Sequence, residues 1–233
     1  MSGFEMTTDV PPDSSIFGTP EDGDRPVSES LVGLDGLVVH FESGRGVRTD
    51  GCSDWNAVLN LNSDAGEEYS IGAMQFLMLR DGSASLLEGL GLLDDVDADR
   101  FRALLDGNNL DERVLDEIGA LTSNRILAVQ CLSLHPNAKE LGVESWFIAE
   151  VVHHMIPDGI VLAHGMTAAE ASKGYWNGPT HDQLLAAGLG PLGGFPGFHG
   201  QSATAPALAT ARCSLWPHIA SEVIATPSAA HSV

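Results

Sequence analysis

Two groups of histidines have residue types and spacings that could do chemistry. Glu150, His153 and His154 stand at offsets of three and four, which on a helix puts all three side chains on one side, a spacing compatible with divalent-metal ligands. Neither H-E-x-x-H nor another established zinc spacing occurs. Trp146 and Phe147 share that side, so the expected reading is a partly buried helix face with the histidines at its rim and no metal. His135 and His164 each end an apolar run. Carboxyl ends of parallel strands are where open α/β sheets bind ligands, and an imidazole of ordinary pKa, about 6.5, can act as a general base. His135 and His164 are therefore candidate bases facing one cleft, the plainer alternative being turn residues with local hydrogen bonds. Cys131 sits inside an apolar run and reads first as a core thiol. Tyr175, in Lys173-Gly174-Tyr175-Trp176-Asn177, is either an aromatic anchor of its loop or a group reaching a site from another direction.

The elements that must position these groups follow from periodicity. Short β-type runs at Gly36 to Phe41, Trp55 to Leu61 and Tyr69 to Leu79, separated by Gly- or Asp-rich turns, predict an antiparallel meander. Arg125 to Leu134 is almost continuously apolar and belongs in the middle of a sheet. Apolar residues at helical spacing over Val143 to Ile156 predict a helix, stopped by Pro157-Asp158-Gly159, and Gly159 to His164 is a second buried strand. Residues 126 to 164 are thus a β-α-β unit with parallel strands and a right-handed crossover. The predicted class is α/β with a mixed sheet.

Further helices are expected near Ala98 to Leu105, near Leu110 to Ala120 with Asn109 as cap and Glu112 completing a capping box, and near Thr180 to Ala187. The Gly- and Pro-rich stretch Gly188 to Gly200 reads as a lid or pocket wall, against an ordinary connection. Residues 1 to 30 read as a mobile acidic leader, 31 to 225 as one domain and 226 to 233 as a flexible tail.

Composition excludes several partners. With 32 acidic and 11 basic side chains the net charge is −21; two lysines and nine scattered arginines cannot form the cationic surface that a polyanion requires, so no nucleic acid is expected. Asp81 to Glu117 carries eleven carboxylates against three arginines, most simply a solvated face. No apolar run approaches the eighteen or more residues of a membrane-spanning helix, and no basic segment followed by an apolar core opens the chain. A cytoplasmic protein without membrane association is expected. Three widely spaced cysteines without C-x-x-C predict reduced thiols. G-x-S-x-G and G-x-x-x-x-G-K-[ST] are both missing, which removes nucleophile-elbow hydrolases and P-loop nucleotide chemistry.

Leu132-Ser133-Leu134-His135-Pro136 is similar to an apolar strand ending in V-x-P, and Lys139-Glu140-Leu141-Gly142-Val143-Glu144 lies where an R/Q-x-x-G-x-G/A loop would follow. Ala186-Ala187-Gly188-Leu189 with Pro191-Leu192 is similar to a helix ending in L-G-F and the strand after it. In these segments, and in the order of its elements, the chain resembles the GNAT superfamily of acetyl-CoA-dependent acyltransferases. The resemblance implies a GNAT-type fold and transfer of an acyl group from acetyl-CoA or another acyl-CoA to a small-molecule amine. It implies that backbone near Leu132 and Leu134 polarises the thioester, and that Lys139, Gly142, Val143 and Glu144 border the cofactor pyrophosphate at a helix N-terminus. His135, His164, Cys131 and Tyr175 are then the candidate catalytic side chains. Glu144 stands where the family has Gly or Ala, and its charge would oppose a diphosphate by about 1 kcal/mol at about 4 Å in water. Where the family carries its carboxylate and its tyrosine, this chain has Gln130-Cys131 and Leu184. The alternative implied is a protein of the same fold that binds without turnover.

Overall fold

The computed structural model describes residues 29–43, 51–80, 90, 95–120, 124–139, 142–167, 170, 178–219 and 223–227. Strands β2 (Leu37–Ser43), β3 (Cys52–Asn62) and β4 (Glu68–Leu79) form the expected antiparallel meander. Helix α1 (Asp95–Arg102), the two-residue strands β5 (Leu105–Asp106) and β6 (Asn109–Leu110), and helix α2 (Glu112–Ile118) follow. Asn109 is not the cap of α2. It belongs to the β5–β6 hairpin, which turns through Gly107, and the cap is Asp111, whose side chain accepts a hydrogen bond from the Arg113 amide.

Strand β7 (Ile126–Leu134) lies beside β4, short helix α3 (Pro136–Lys139) ends it, helix α4 (Val143–Met155) crosses back, and β8 (Ile160–His164) runs parallel to β7. The β-α-β unit is therefore present, with bounds within a residue or two of those expected. Helix α5 (His181–Ala186) carries a capping box between Thr180 and Gln183. Strands β9 (Gly190–Pro191) and β10 (Phe198–Ser202), helices α6 (Pro206–Cys213) and α7 (Trp216–Ile219), and strand β11 (Val223–Pro227) complete the described chain. The seven-stranded mixed sheet has the order β2-β3-β4-β7-β8-β10-β9.

Strand β7 is apolar on both faces because both are covered. Leu127 and Val129 pack with Phe147, Val151, Leu184 and Leu208 of α4, α5 and α6. On the other face Ile126 and Ala128 pack with Phe101, Val114 and the buried Leu192, Phe195 and Phe198. That second cluster corrects the reading of Gly188 to Gly200 as a lid. Three of its side chains belong to this cluster and Leu189 to the core on the opposite face, the Arg113 guanidinium lies 5.1 Å over the Phe195 ring, and the Glu117 carboxylate accepts hydrogen bonds from the amides of Gly193 and Gly194. The segment is pinned to α2.

A two-stranded ribbon was not anticipated: β1 (Glu29–Gly33) pairs antiparallel with β11. It takes two residues from the stretch read as leader and two from the stretch read as tail. Among the described residues no helix is long and apolar enough to cross a membrane.

Candidate functional site

The central feature is a fork. The β7–β8 ladder runs from Ile126↔Ile160 to Val129↔Ala163, while β7 continues to Leu134. At the parting Gln130 is an extra residue: Gln75 pairs with Cys131 and Phe76 with Val129. Such a bulge bends its strand and increases the local twist. It also resets the alternation, so that Leu132 and Leu134 return to the core face already occupied by Leu127 and Val129, leaving Gln130, Cys131 and Ser133 half-buried. Cys131, expected as a core thiol, thus sits at the rim of the fork. The side chains of Leu132 and Leu134 are committed to the core, and only their backbone is left to face a ligand.

Helix α4 follows β7 in the chain after the short α3, at the carboxyl-end side of that strand. Gly142 is its N-cap, in the left-handed region at φ 70° and ψ 17°, a conformation that costs a residue with a Cβ roughly 1–2 kcal/mol. The Ser145 hydroxyl donates to the Gly142 carbonyl at 2.9 Å, and Val143 is wholly buried. Glu144 is 6% exposed, and its Oε1 accepts from Gln183 Nε2 of α5 at 3.5 Å. The carboxylate is thus turned toward α5, inside the first turn of α4, where the positive end of the helix dipole favours a negative charge. Lys139 ends α3, while Glu140, Leu141 and Tyr175 lie outside the described residues.

The histidines are arranged differently from expectation. His135 is half-buried beyond the end of β7, its amide donating to the Ile71 carbonyl. By register His164 stands level with Gln130, so His135 lies five residues further along, roughly 15 Å at the usual strand rise. His164 instead shares its surroundings with His181 and His199, which the sequence reading passed over. His181 Nδ1 lies 2.8 Å from His199 Nε2, and His199 Nδ1 lies 3.3 Å from the Leu189 carbonyl. His199 is 3% exposed. The His164 ring meets Phe198 edge-on, centroids 5.0 Å apart.

Two glycines make room for these rings. A Cβ on Gly165 would come within 2.4 Å of His181 Nδ1, and one on Gly197 within 2.6 Å of His164 Nε2. The same two glycines are joined by a hydrogen bond, the Gly165 amide donating to the Gly197 carbonyl at 2.8 Å. The signal available in the sequence was this pairing, His164-Gly165 against Gly197-Phe198-His199, recognisable only once the two stretches are known to be neighbouring strands.

Burial, reinforced by the nearby Arg100, pushes the His164 imidazole down to about 4, Glu170 opposing while His181 and His199 add to the fall. A base that weak is neutral at pH 7 and far from the value that suits proton abstraction there. Burial likewise holds His199 below its ordinary value, against the Leu189 carbonyl and with the charge of His181.

Glu150, His153 and His154 do share one side of α4, but Glu150 and His154 belong to an ion-pair junction and His153 stands outside it. Glu150 Oε1 lies 2.8 Å from His154 Nε2 and Glu150 Oε2 accepts from Arg212 Nε of α6 at 2.7 Å. Burial would raise the Glu150 carboxyl; the hydrogen bonds and charges of Arg212 and His154 outweigh it and hold the group below its ordinary value. His153 is exposed and packs edge-on against the His154 ring. Among the described residues no three His, Cys, Asp or Glu side chains converge as a metal site. Compared with protein-family models, curated proteins and solved structures, the chain matches none of them.

Proposed function

We propose that this chain is an acyl-CoA-dependent acyltransferase of GNAT type acting on a small-molecule amine, with the fork between β7 and β8 as its cofactor site. The observation that carries the reading is the fork itself. A parallel strand pair parts at a bulge, and the crossover helix that follows β7 begins at a left-handed Gly142. Bound there, acyl-CoA would supply the activated acyl group. The chain's own contribution is positional: the backbone of β7 around Leu132 and Leu134 presents peptide groups to a thioester carbonyl, and Gly142 and Val143 border the place for a diphosphate at the start of α4. Lys139 is the nearest basic residue in sequence. Cys131, Tyr175 and His135 remain candidates for proton transfer, whereas the low pKa of His164 argues against its acting as the base.

A second reading is favoured by Glu144. A buried carboxylate already occupying the first turn of α4 competes with a phosphate for the same helix end, which suits a relative that keeps the fold and binds without acyl transfer. Thermal-shift titration with acetyl-CoA decides between them. Ligand at 100 times its dissociation constant adds about 2.7 kcal/mol to stability, so a clear rise in melting temperature at millimolar acetyl-CoA supports the acyltransferase reading. A folded protein with no shift contradicts it.

A further inference from the structure

The hydrogen bonds of the histidine cluster fix where its protons sit. A carbonyl oxygen only accepts, so the contact between His199 Nδ1 and the Leu189 carbonyl requires the hydrogen on Nδ1. His199 Nε2 then carries the lone pair, and the 2.8 Å contact with His181 Nδ1 requires the hydrogen on that nitrogen. One backbone carbonyl thereby sets both tautomers and leaves His181 Nε2 as the basic nitrogen of the pair. We propose that His181 Nε2 is the proton acceptor at the carboxyl end of β8, with His199 as the positioning residue that orients its ring.

His199 stays neutral near pH 7 because it is buried, so it remains an acceptor for its partner. When His181 takes up a proton, the imidazolium is stabilised by the hydrogen bond that its Nδ1 donates to His199. Gly165, pressed against His181 Nδ1, holds the ring in place from the strand side. Among the described residues, the charged and titratable groups around the cluster are His164 of β8, Arg100 of α1 and Glu170, which lies between β8 and α5 in the chain, with Asp182 next along α5. Only the source of the proton rests on the acyltransferase reading: it would be a cationic amine, drawn to a chain of net charge −21. An N–H bond of the ammonium breaks, its electron pair stays on the amine nitrogen, an N–H bond forms on His181 Nε2, and the imidazolium later releases that proton to solvent.

The test is long-range proton–nitrogen NMR of the histidine rings in the full chain near pH 8. The expected result is His181 and His199 both as Nδ1–H tautomers, with His181 Nε2 carrying the lone pair. In His199→Phe the His181 ring loses its tautomer preference, and in His199→Gln, whose amide can accept from His181 and donate to Leu189, the preference returns. His181 found as the Nε2–H tautomer in the wild-type protein overturns the proposal, as does an unchanged tautomer in His199→Phe. The pattern is read without cofactor, so failure of acetyl-CoA to bind removes the amine as proton source and leaves the dyad to stand or fall by NMR. If turnover of acetyl-CoA with an amine is measured, His181→Gln lowers kcat by about 100-fold or more with KM for acetyl-CoA unchanged; equal kcat overturns the catalytic role.

Discussion

Two histidine clusters sit at opposite ends of the same layered core, and they differ in what the imidazole is bonded to. On α4, His154 meets a carboxylate that also receives Arg212. The charges are pinned, two helices are tied together, and nothing is left with which to move a proton. At the end of β8 and on β10 and α5, by contrast, His181 meets another imidazole, which in turn meets a carbonyl. Among the described residues no carboxylate hydrogen-bonds to that pair, whose bonds run from imidazole to imidazole to a backbone carbonyl. Spacing along a helix made the first cluster visible in the sequence and suggested metal chemistry; partner identity makes the second the chemically poised one.

The largest expected effect comes from crowding the second cluster. Gly197 has φ 85° and no room for a Cβ against His164. Gly197→Ala should therefore cost about 2–3 kcal/mol in denaturant unfolding, backbone strain and ring displacement adding together. Combining it with His164→Ala should relieve the ring part while leaving the backbone part. A loss below about 0.5 kcal/mol would mean that the ring is not packed as described.

The ion-pair junction should respond more mildly. Arg212→Ala leaves the mostly buried Glu150 carboxylate with His154 alone and should cost about 1–2 kcal/mol by thermal or chemical unfolding. Part of that loss should reappear in wild-type protein at acid pH. The folded pKa of Glu150 is depressed, so its contribution is present above the ordinary carboxylate value and is lost as the pH falls through the folded one.

A pH profile sharpens the contrast from the other side. His164 is depressed to about 4 in the folded protein, and an unfolded histidine titrates near about 6.5. Between those values the unfolded chain binds more protons, so stability should fall as the pH drops from about 6.5 toward 4. With allowance for solvent screening the fall amounts to about 1–2 kcal/mol. His164→Gln should make that window shallower, His199 keeping its own part, and leave the Glu150 response intact; an identical profile in the variant would place the titrating group elsewhere. The smallest effect is expected for His154→Ala, under about 1 kcal/mol, because its partner retains Arg212 and the imidazole is half-exposed.

How much of this was legible in the sequence follows from which interactions are local. The apolar run of β7, the helical spacing of α4 and the position of α5 are each written in one short local stretch, and they were read correctly; the capping box of α5 went unread. The cap of α2 was misplaced by two residues because a hairpin with a turn at Gly107 used Asn109 first. The β1–β11 ribbon joins stretches about 190 residues apart and depends on backbone pairing that no local pattern encodes. His181 and His199 failed to register for the same reason. They are 18 residues apart, and their meeting requires that Gly188 to Gly200 turn back through β9 into β10, with Leu192, Phe195 and Phe198 filling the core, instead of forming a lid. Glu144 was recognised as an odd residue for a phosphate loop, but its burial against Gln183 depends on how α5 packs on α4.

The fork is the feature on which the functional reading depends, and backbone amide shifts report on it directly. In a proton–nitrogen spectrum of the full chain titrated with acetyl-CoA, the reading predicts saturable shifts concentrated at Gln130 to Leu134 of β7 and at Gly142 to Ser145 of α4, with the meander β2 to β4 little changed away from Gly72 to Gln75. Shifts confined to other surfaces, or none at millimolar acetyl-CoA in a folded sample, would contradict it.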